Sequence, residues 1–176
     1  MRVLILSAAL ATTLAGCAAA ADNKTATMTK IDKNGTGEAV GTITLSGGSS
    51  GLVLATDLKG LPPGEHGFHL HEKGECGPGP NPQGEIIPGG AAGGHWSPSG
   101  SKAHAGPAGD GHMGDLPFLT VESDGTSKEQ LIAPRITDLG QLDGHALMIH
   151  AGGDNYADQP QPLGGGGGRI ACGVIK

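Results

Sequence analysis

Six histidines and an aspartate are the residues of this sequence best suited to chemistry: His69, His71, His95, His104, His112, His150 and Asp115. His69 and His71 lie in Gly67-Phe-His-Leu-His. In a strand, residues two apart face the same side, so these two imidazoles project together while Phe68 and Leu70 turn towards a core. At a spacing of about 7 Å along one strand face they can grip a single metal ion. His150 ends a second apolar run, Ala146-Leu-Met-Ile-His. His95, His104 and His112 follow one another through a stretch rich in Gly and Pro, with Asp115 close behind. Three histidines and an aspartate suit a closed tetrahedral zinc site. Three or four histidines in a flattened arrangement suit copper(II). The set divides between two such sites if one histidine is shared.

Strands and turns must position these side chains. Candidate strands are Thr27–Lys33, Gly37–Leu45, Gly51–Leu58, Glu65–Glu72, Leu116–Ser123, Thr126–Ala133, His145–His150 and Arg169–Ile175. Lys33-Asn34-Gly35, Ser46-Gly47-Gly48, Leu61-Pro62-Pro63-Gly64 and Ser123-Asp124-Gly125 are turn signals between them. Many short strands with glycine-rich turns and no helix-period run predict an all-β sandwich or barrel. The 34 glycines and four aromatic residues agree with a turn-rich chain and a small aromatic core. Two connections, 73–115 and 151–168, are long enough to be functional loops. The net charge of −6 argues against a nucleic-acid partner.

The first residues are Met1-Arg2 followed by an uncharged apolar run to Gly16, which predicts an export signal over 1–16. That run is too short to span a bilayer. Leu14-Ala-Gly-Cys17 resembles a bacterial lipobox, which implies lipid on Cys17 and a flexible tether over 17–27 ahead of a folded domain at 28–176. Ordinary cleavage within Ala18–Ala21 is the alternative. Either way Cys17 leaves the folded domain, and Cys76 and Cys172 remain as a pair in a compartment where disulfides persist. Two free buried thiols are the other reading.

Gly67-Phe-His-Leu-His-Glu-Lys-Gly74 resembles the signature of the copper/zinc superoxide dismutases, as does Gly168-Arg-Ile-Ala-Cys-Gly-Val-Ile175. The likeness runs in order from about Thr27 to Lys176. Through His112-Met-Gly-Asp-Leu-Pro117 and His150-Ala-Gly-Gly-Asp-Asn-Tyr156 it is similar in particular to the bacterial periplasmic branch. The resemblance implies an eight-stranded Greek-key β-barrel with two long functional loops. It implies copper on His69, His71, His95 and His150, and zinc on His95, His104, His112 and Asp115. His95 would bridge the ions as an imidazolate, which a cation at each nitrogen makes accessible. Asp154 matches the family aspartate that orients one histidine of each set. Arg169 matches the arginine that receives the anionic substrate. The implied activity converts superoxide and protons to dioxygen and hydrogen peroxide, with His95 taking up and giving back a proton.

His66 and His145 fall outside the family's ligand positions and read as residues that fix a loop or strand end. Met113 reads as packing, and Trp96 as either loop packing or a surface contact. The 151–168 loop has no lysine, unlike the cytosolic branch, so beyond Arg169 steering either comes from Lys73 or Lys102 or is weaker. The resemblance implies a cell-envelope location, with a membrane surface as partner if Cys17 is lipidated. Relatives occur as homodimers and as monomers. An exported metal carrier and a structural envelope lipoprotein are the competing readings; neither needs a bridging His95 or Arg169.

Overall fold

The computed structural model describes residues 23–176. The expected signal segment and Cys17 lie outside the described residues. The first strand, β1 (Lys24–Asp32), buries Ala26 and Met28 and exposes Thr25 and Thr27 between them. It begins before the expected Thr27, so the last part of the expected tether is paired strand. The cause is the C-terminus, since Thr25 and Lys176 exchange backbone hydrogen bonds of 2.9 Å in both directions.

Strands β2 (Gly35–Gly48) and β3 (Gly51–Leu58) follow as antiparallel neighbours. The expected Glu65–Glu72 strand is two, β4 (Gly64–His66) and β5 (Phe68–His71), interrupted at Gly67. The interruption arises because the Gly67 amide bonds Gly152 O at 2.7 Å while its carbonyl accepts from the His150 amide at 2.8 Å. A short hairpin, β6 (Gly79–Pro80) with β7 (Ile86–Ile87), lies inside the first long connection and was not expected. Then come β8 (Leu119–Val121), β9 (Gln130–Ala133), β10 (Ala146–His150) and β11 (Arg169–Val174). β8 starts later than the expected Leu116 because Pro117 has no amide to donate to a ladder. β9 starts later than Thr126, although Ser127 still exchanges backbone bonds with Leu58 at 3.0 Å.

Seven strands form one antiparallel sheet in the order β5-β10-β11-β1-β2-β3-β9. β5 at one edge continues from β4, and β9 at the other is joined to β8 through a tight turn in which Glu122 N bonds Thr126 O at 2.8 Å. Pairing of β4 with β8 draws the two edges together and curls the sheet into a barrel. The all-β barrel expectation therefore holds, and each expected segment contains a strand. The interior is filled by Phe68, Met28, Ile43, Leu54, Leu70 and Leu147 among others, all essentially inaccessible.

β10 is buried on both faces. Leu147 and Ile149 enter the main core, whereas Ala146 and Met148 join Ile31, Ala92 and Cys172 in a second cluster. Cys76 packs on this second cluster and forms a disulfide with Cys172 across 96 residues. The first long loop is thereby pinned to β11, against the outer face of the strands that carry the histidines.

Candidate metal centre

β5 and β10 run antiparallel with Met148 opposite His69 and Ala146 opposite His71. Strand alternation sends His69 and His71 to the side away from Phe68 and Leu70, where His150, at the end of β10, reaches the same space. The first long loop then returns twice to β5. Its first return bonds Trp96 N to Leu70 O at 2.8 Å and Glu72 N to Gly94 O at 3.0 Å, which sets His95 beside His71. Its second bonds Leu70 N to Gly114 O at 2.9 Å and sets Asp115 beside His69. Residues scattered through a long loop are thus held by strand-like pairing to one rigid strand.

All six histidines and Asp115 converge, and all are buried. One ring nitrogen each of His69, His71, His95 and His150 forms a first group whose atoms lie within 4.8 Å of one another. A second group of the same span joins His95, His104, His112 and Asp115. His95 belongs to both. Its Nδ1–H donates to Asp115 Oδ1 at 2.9 Å, and its Nε2 faces the first group without a hydrogen-bond partner. In the second group His112 Nδ1 lies 3.2 Å and His104 Nδ1 2.9 Å from the same Asp115 oxygen.

Four buried nitrogens of the first group have no hydrogen-bond partner: His69 Nδ1, His71 Nε2, His95 Nε2 and His150 Nε2. Orphaned buried polar atoms are rare in proteins, and lone pairs converging from several sides fit a cation. The far nitrogen of each ring is fixed. His71 Nδ1–H donates to Gly93 O at 3.0 Å, and His150 Nδ1–H to Gly167 O at 3.2 Å. His69 Nε2–H donates to Asp154 Oδ2 at 2.7 Å, and His104 Nε2–H to Asp154 Oδ1 at 2.8 Å. Asp154 therefore ties one member of each group and fixes its tautomer, leaving Nδ1 of both rings for an ion. The donor sets fit copper in the first group and zinc in the second.

Burial and neighbouring imidazoles press the first group towards neutrality. Burial, then the charges of His95, Arg169 and His150, holds His71 well below its ordinary value. Burial and His69 push His95 down to about 3. His104 goes the other way: burial opposes its charge, but bonds and charges from Asp115 and Asp154 outweigh it and raise the ring to about 9. For Asp115 burial favours the neutral acid, yet His104 and His95 hold it far below the usual carboxylate range. Asp154 is held low in the same way by His104 and His69.

The second long loop folds back as a ribbon, with Ala151 N on Gly168 O at 2.7 Å and Gly152 N on Gly166 O at 2.8 Å. Its glycine run lies directly on the site. A side chain at Gly164 would strike the Asp154 carboxylate and His104 Nε2, and one at Gly166 would press on the His150 ring. Arg169 follows this run, half-buried, donating to Gly89 O at 2.6 Å and Gly93 O at 2.7 Å. The Gly93 carbonyl thus holds both Arg169 and His71. A cleft of about 330 Å³ opens here, walled by Arg169, Gly93, Gly94, Leu163, Ile87 and Pro80.

The remaining histidines act as struts. The ring nitrogens of His66 lie 2.7 Å from His150 O and 2.8 Å from Pro62 O. His145 Nδ1 lies 2.8 Å from Glu72 O, and its ring packs on Trp96 with centroids 5.0 Å apart. Met113 and Trp96 pack against the barrel core. Lys73 and Lys102 are exposed. Sequence reasoning missed Asp158, which accepts from His104 N at 2.9 Å and Leu163 N at 3.1 Å, and Tyr156, whose hydroxyl accepts from Phe118 N at 3.1 Å. All three bonds use a backbone amide, which leaves no mark on sequence.

A family model for copper/zinc superoxide dismutase matches residues 39–175. The chain belongs to this family. It is 47% identical over 171 residues to copper–zinc superoxide dismutase 2 of Salmonella typhimurium, covering 97% of this chain and 98% of that one. The structure of the copper/zinc superoxide dismutase from Brucella abortus superposes with a TM-score of 0.85 at 46% identity, over 88% of this chain and 100% of that one. The solution structure of the monomeric copper, zinc superoxide dismutase from Salmonella enterica gives 0.77 at 47% identity, over 88% and 99%.

Proposed function

We propose that this chain disproportionates superoxide, two superoxide anions and two protons giving dioxygen and hydrogen peroxide. The observation that carries the reading is the pair of four-ligand groups sharing His95, one nitrogen facing each. His69, His71, His95 and His150 would hold copper; His95, His104, His112 and Asp115 would hold zinc. Copper supplies one-electron exchange when bound, and zinc supplies a fixed positive charge.

The chain's own residues do the rest. Arg169 presents a permanent positive charge at the cleft and leaves guanidinium donors for a small anion, while two backbone carbonyls hold it in place. His95 holds and returns a proton at Nε2, the nitrogen that faces the first group. Asp154 keeps Nε2–H of His69 and His104 pointing away from the ions. Every ligand is buried, and the cleft walled by Arg169 opens beside them. Following superoxide decay with metal-loaded and chelated protein tests the reading. Decay that depends on copper supports it, and decay untouched by chelation contradicts it.

Export and anchoring belong to the same proposal. Residues 1–16 serve as a signal, Cys17 carries lipid, and the enzyme works in the periplasm or cell envelope at a membrane surface. The support is the sequence of the first residues and a disulfide that closes a loop across 96 residues, as exported chains carry. Mass spectrometry of the mature protein tests it: a lipid mass on Cys17 is expected, and a bare N-terminus downstream of Cys17 contradicts it. A single protomer contains every residue of both groups together with Arg169 and Asp154, so we propose that activity does not require a homodimer. Specific activity unchanged by dilution is the expected result.

A further inference from the structure

We propose that Arg135 is a positioning residue for the second, zinc-type group, a role that rests on the ligand reading above. Arg135 lies just past β9, after Pro134. The turn there is anchored by Ile136, which is 1% exposed in the core, and by a bond from Ile136 N to Ala133 O at 3.3 Å. The backbone at Arg135 is therefore part of the barrel. Its side chain leaves the barrel and grips the metal loop: Nη1–H donates to His112 O at 3.1 Å and Nη2–H to Gly111 O at 3.0 Å. A planar fork on two successive carbonyls fixes position and orientation together, which a single point charge does not. Among the described residues Arg135 has no carboxylate partner. The charge of the guanidinium is thus committed to those carbonyls.

The gripped segment is the hinge of the second group. His112 is itself a member, and its carbonyl also accepts from Asp115 N at 3.4 Å. Its amide donates to Ala103 O at 3.0 Å, next to His104, and Ala105 N donates to Asp115 Oδ2 at 3.1 Å. Gly111 packs so tightly on this neighbour that a Cβ would strike Ala103 O and Ala105 N. His104, His112 and Asp115 therefore sit on one folded unit. Asp154 and Asp158 hold that unit from the His104 side, and Arg135 holds it from the His112 side. Without Arg135 the His112 side must be ordered at the moment an ion binds, which weakens that ion selectively. Three members of the first group, His69, His71 and His150, lie on β5 and β10, and the fourth, His95, is tied to β5 by Trp96 N on Leu70 O at 2.8 Å, so that group does not depend on the Arg135 contact.

The test is zinc affinity of the metal-free full chain, by competition with a chromophoric chelator, with copper affinity and metal-free unfolding temperature measured alongside. Arg135→Ala should weaken zinc by about 10–100-fold, as loss of residues that orient ligands does, with copper affinity unchanged. Arg135→Lys keeps the charge but reaches one carbonyl at a time, so it should recover part of the loss. The cobalt(II) absorption of the second group should broaden in Arg135→Ala and sharpen again in Arg135→Lys. Unchanged zinc affinity in Arg135→Ala, or zinc and copper weakening in step with a lowered unfolding temperature, overturns the proposal. Failure of the unaltered chain to bind zinc at all overturns the ligand reading beneath it, and is distinguishable because no variant is needed to see it.

Discussion

Replacing Asp154 probes the contact between the two ligand groups. Asp154 is 9% exposed and accepts from His69 Nε2–H at 2.7 Å, His104 Nε2–H at 2.8 Å and Tyr156 N–H at 2.8 Å. Asp154→Ala strands two buried ring donors, each costing about 1–3 kcal/mol. At the low end for each donor, about 2 kcal/mol corresponds to a fall of about 4–8 °C in the unfolding temperature of the metal-free chain. Zinc affinity should fall by about 10–100-fold. Asp154→Asn is the sharper variant because it preserves volume. Its amide accepts from one ring and points N–H at the other, setting donor against donor. Flipping that ring's tautomer would relieve the clash but protonate Nδ1, the nitrogen an ion needs. The Asn oxygen keeps the Oδ1 position, where His104 Nε2–H and Tyr156 N–H both donate, so its NH2 faces His69; Asn should therefore weaken copper and largely spare zinc, whereas Ala weakens zinc. Calorimetry of the metal-free protein and chelator competition for zinc read the two effects. Zinc affinity of Asp154→Ala within about twofold of the unaltered chain would refute the reasoning, since the predicted loss is tenfold or more.

Arg169→Ala should lower the rate of superoxide decay by about tenfold or more at low ionic strength, with copper content unchanged, because a local charge in a cleft raises the encounter rate. Equal rates at low salt would contradict that role. For pH, His104 is raised from 6.5 to about 9 in the metal-free chain. Its charged form stabilises that chain fully below pH 6.5, and the stabilisation is lost as pH rises through about 9. Zinc must displace this proton, so its apparent affinity should rise about tenfold per pH unit up to about pH 9 and then level off, as titration in a pH series will show. Cys76→Ser opens a loop of 96 residues, for which chain entropy gives about 4–5 kcal/mol. Urea unfolding should show the loss, and an unchanged midpoint would count against it.

That these six histidines and Asp115 could gather was legible from local chemistry, whereas their division into a copper set and a zinc set came from the resemblance to the family. His69 and His71 declare a shared face by their spacing, and His150 ends a short apolar run of strand length. The fold class was legible from strand-length apolar segments between turn signals. Arg135 was not, because its partners are carbonyls of Gly111 and His112, and every residue has a carbonyl. The same holds for Asp158 on the His104 amide. The β6–β7 hairpin escaped because its strands are two residues each and one contains Pro80. The start of β1 was missed for a different reason. Ala26 and Met28 alternate with threonines as a half-buried strand should, but the partner that orders them is the far C-terminus. The glycine run at 164–168 read only as an unusual loop. Its purpose, close approach to His104, Asp154 and His150, needs the folded structure.

A copper titration tests the central claim most directly. Copper(II) is added stepwise to zinc-loaded, copper-free protein while superoxide decay is followed. If His69, His71, His95 and His150 form one redox site per chain, the decay rate should rise linearly and break at one copper per chain. Decay already at its full rate before copper is added, or a break at any other ratio, would contradict the account.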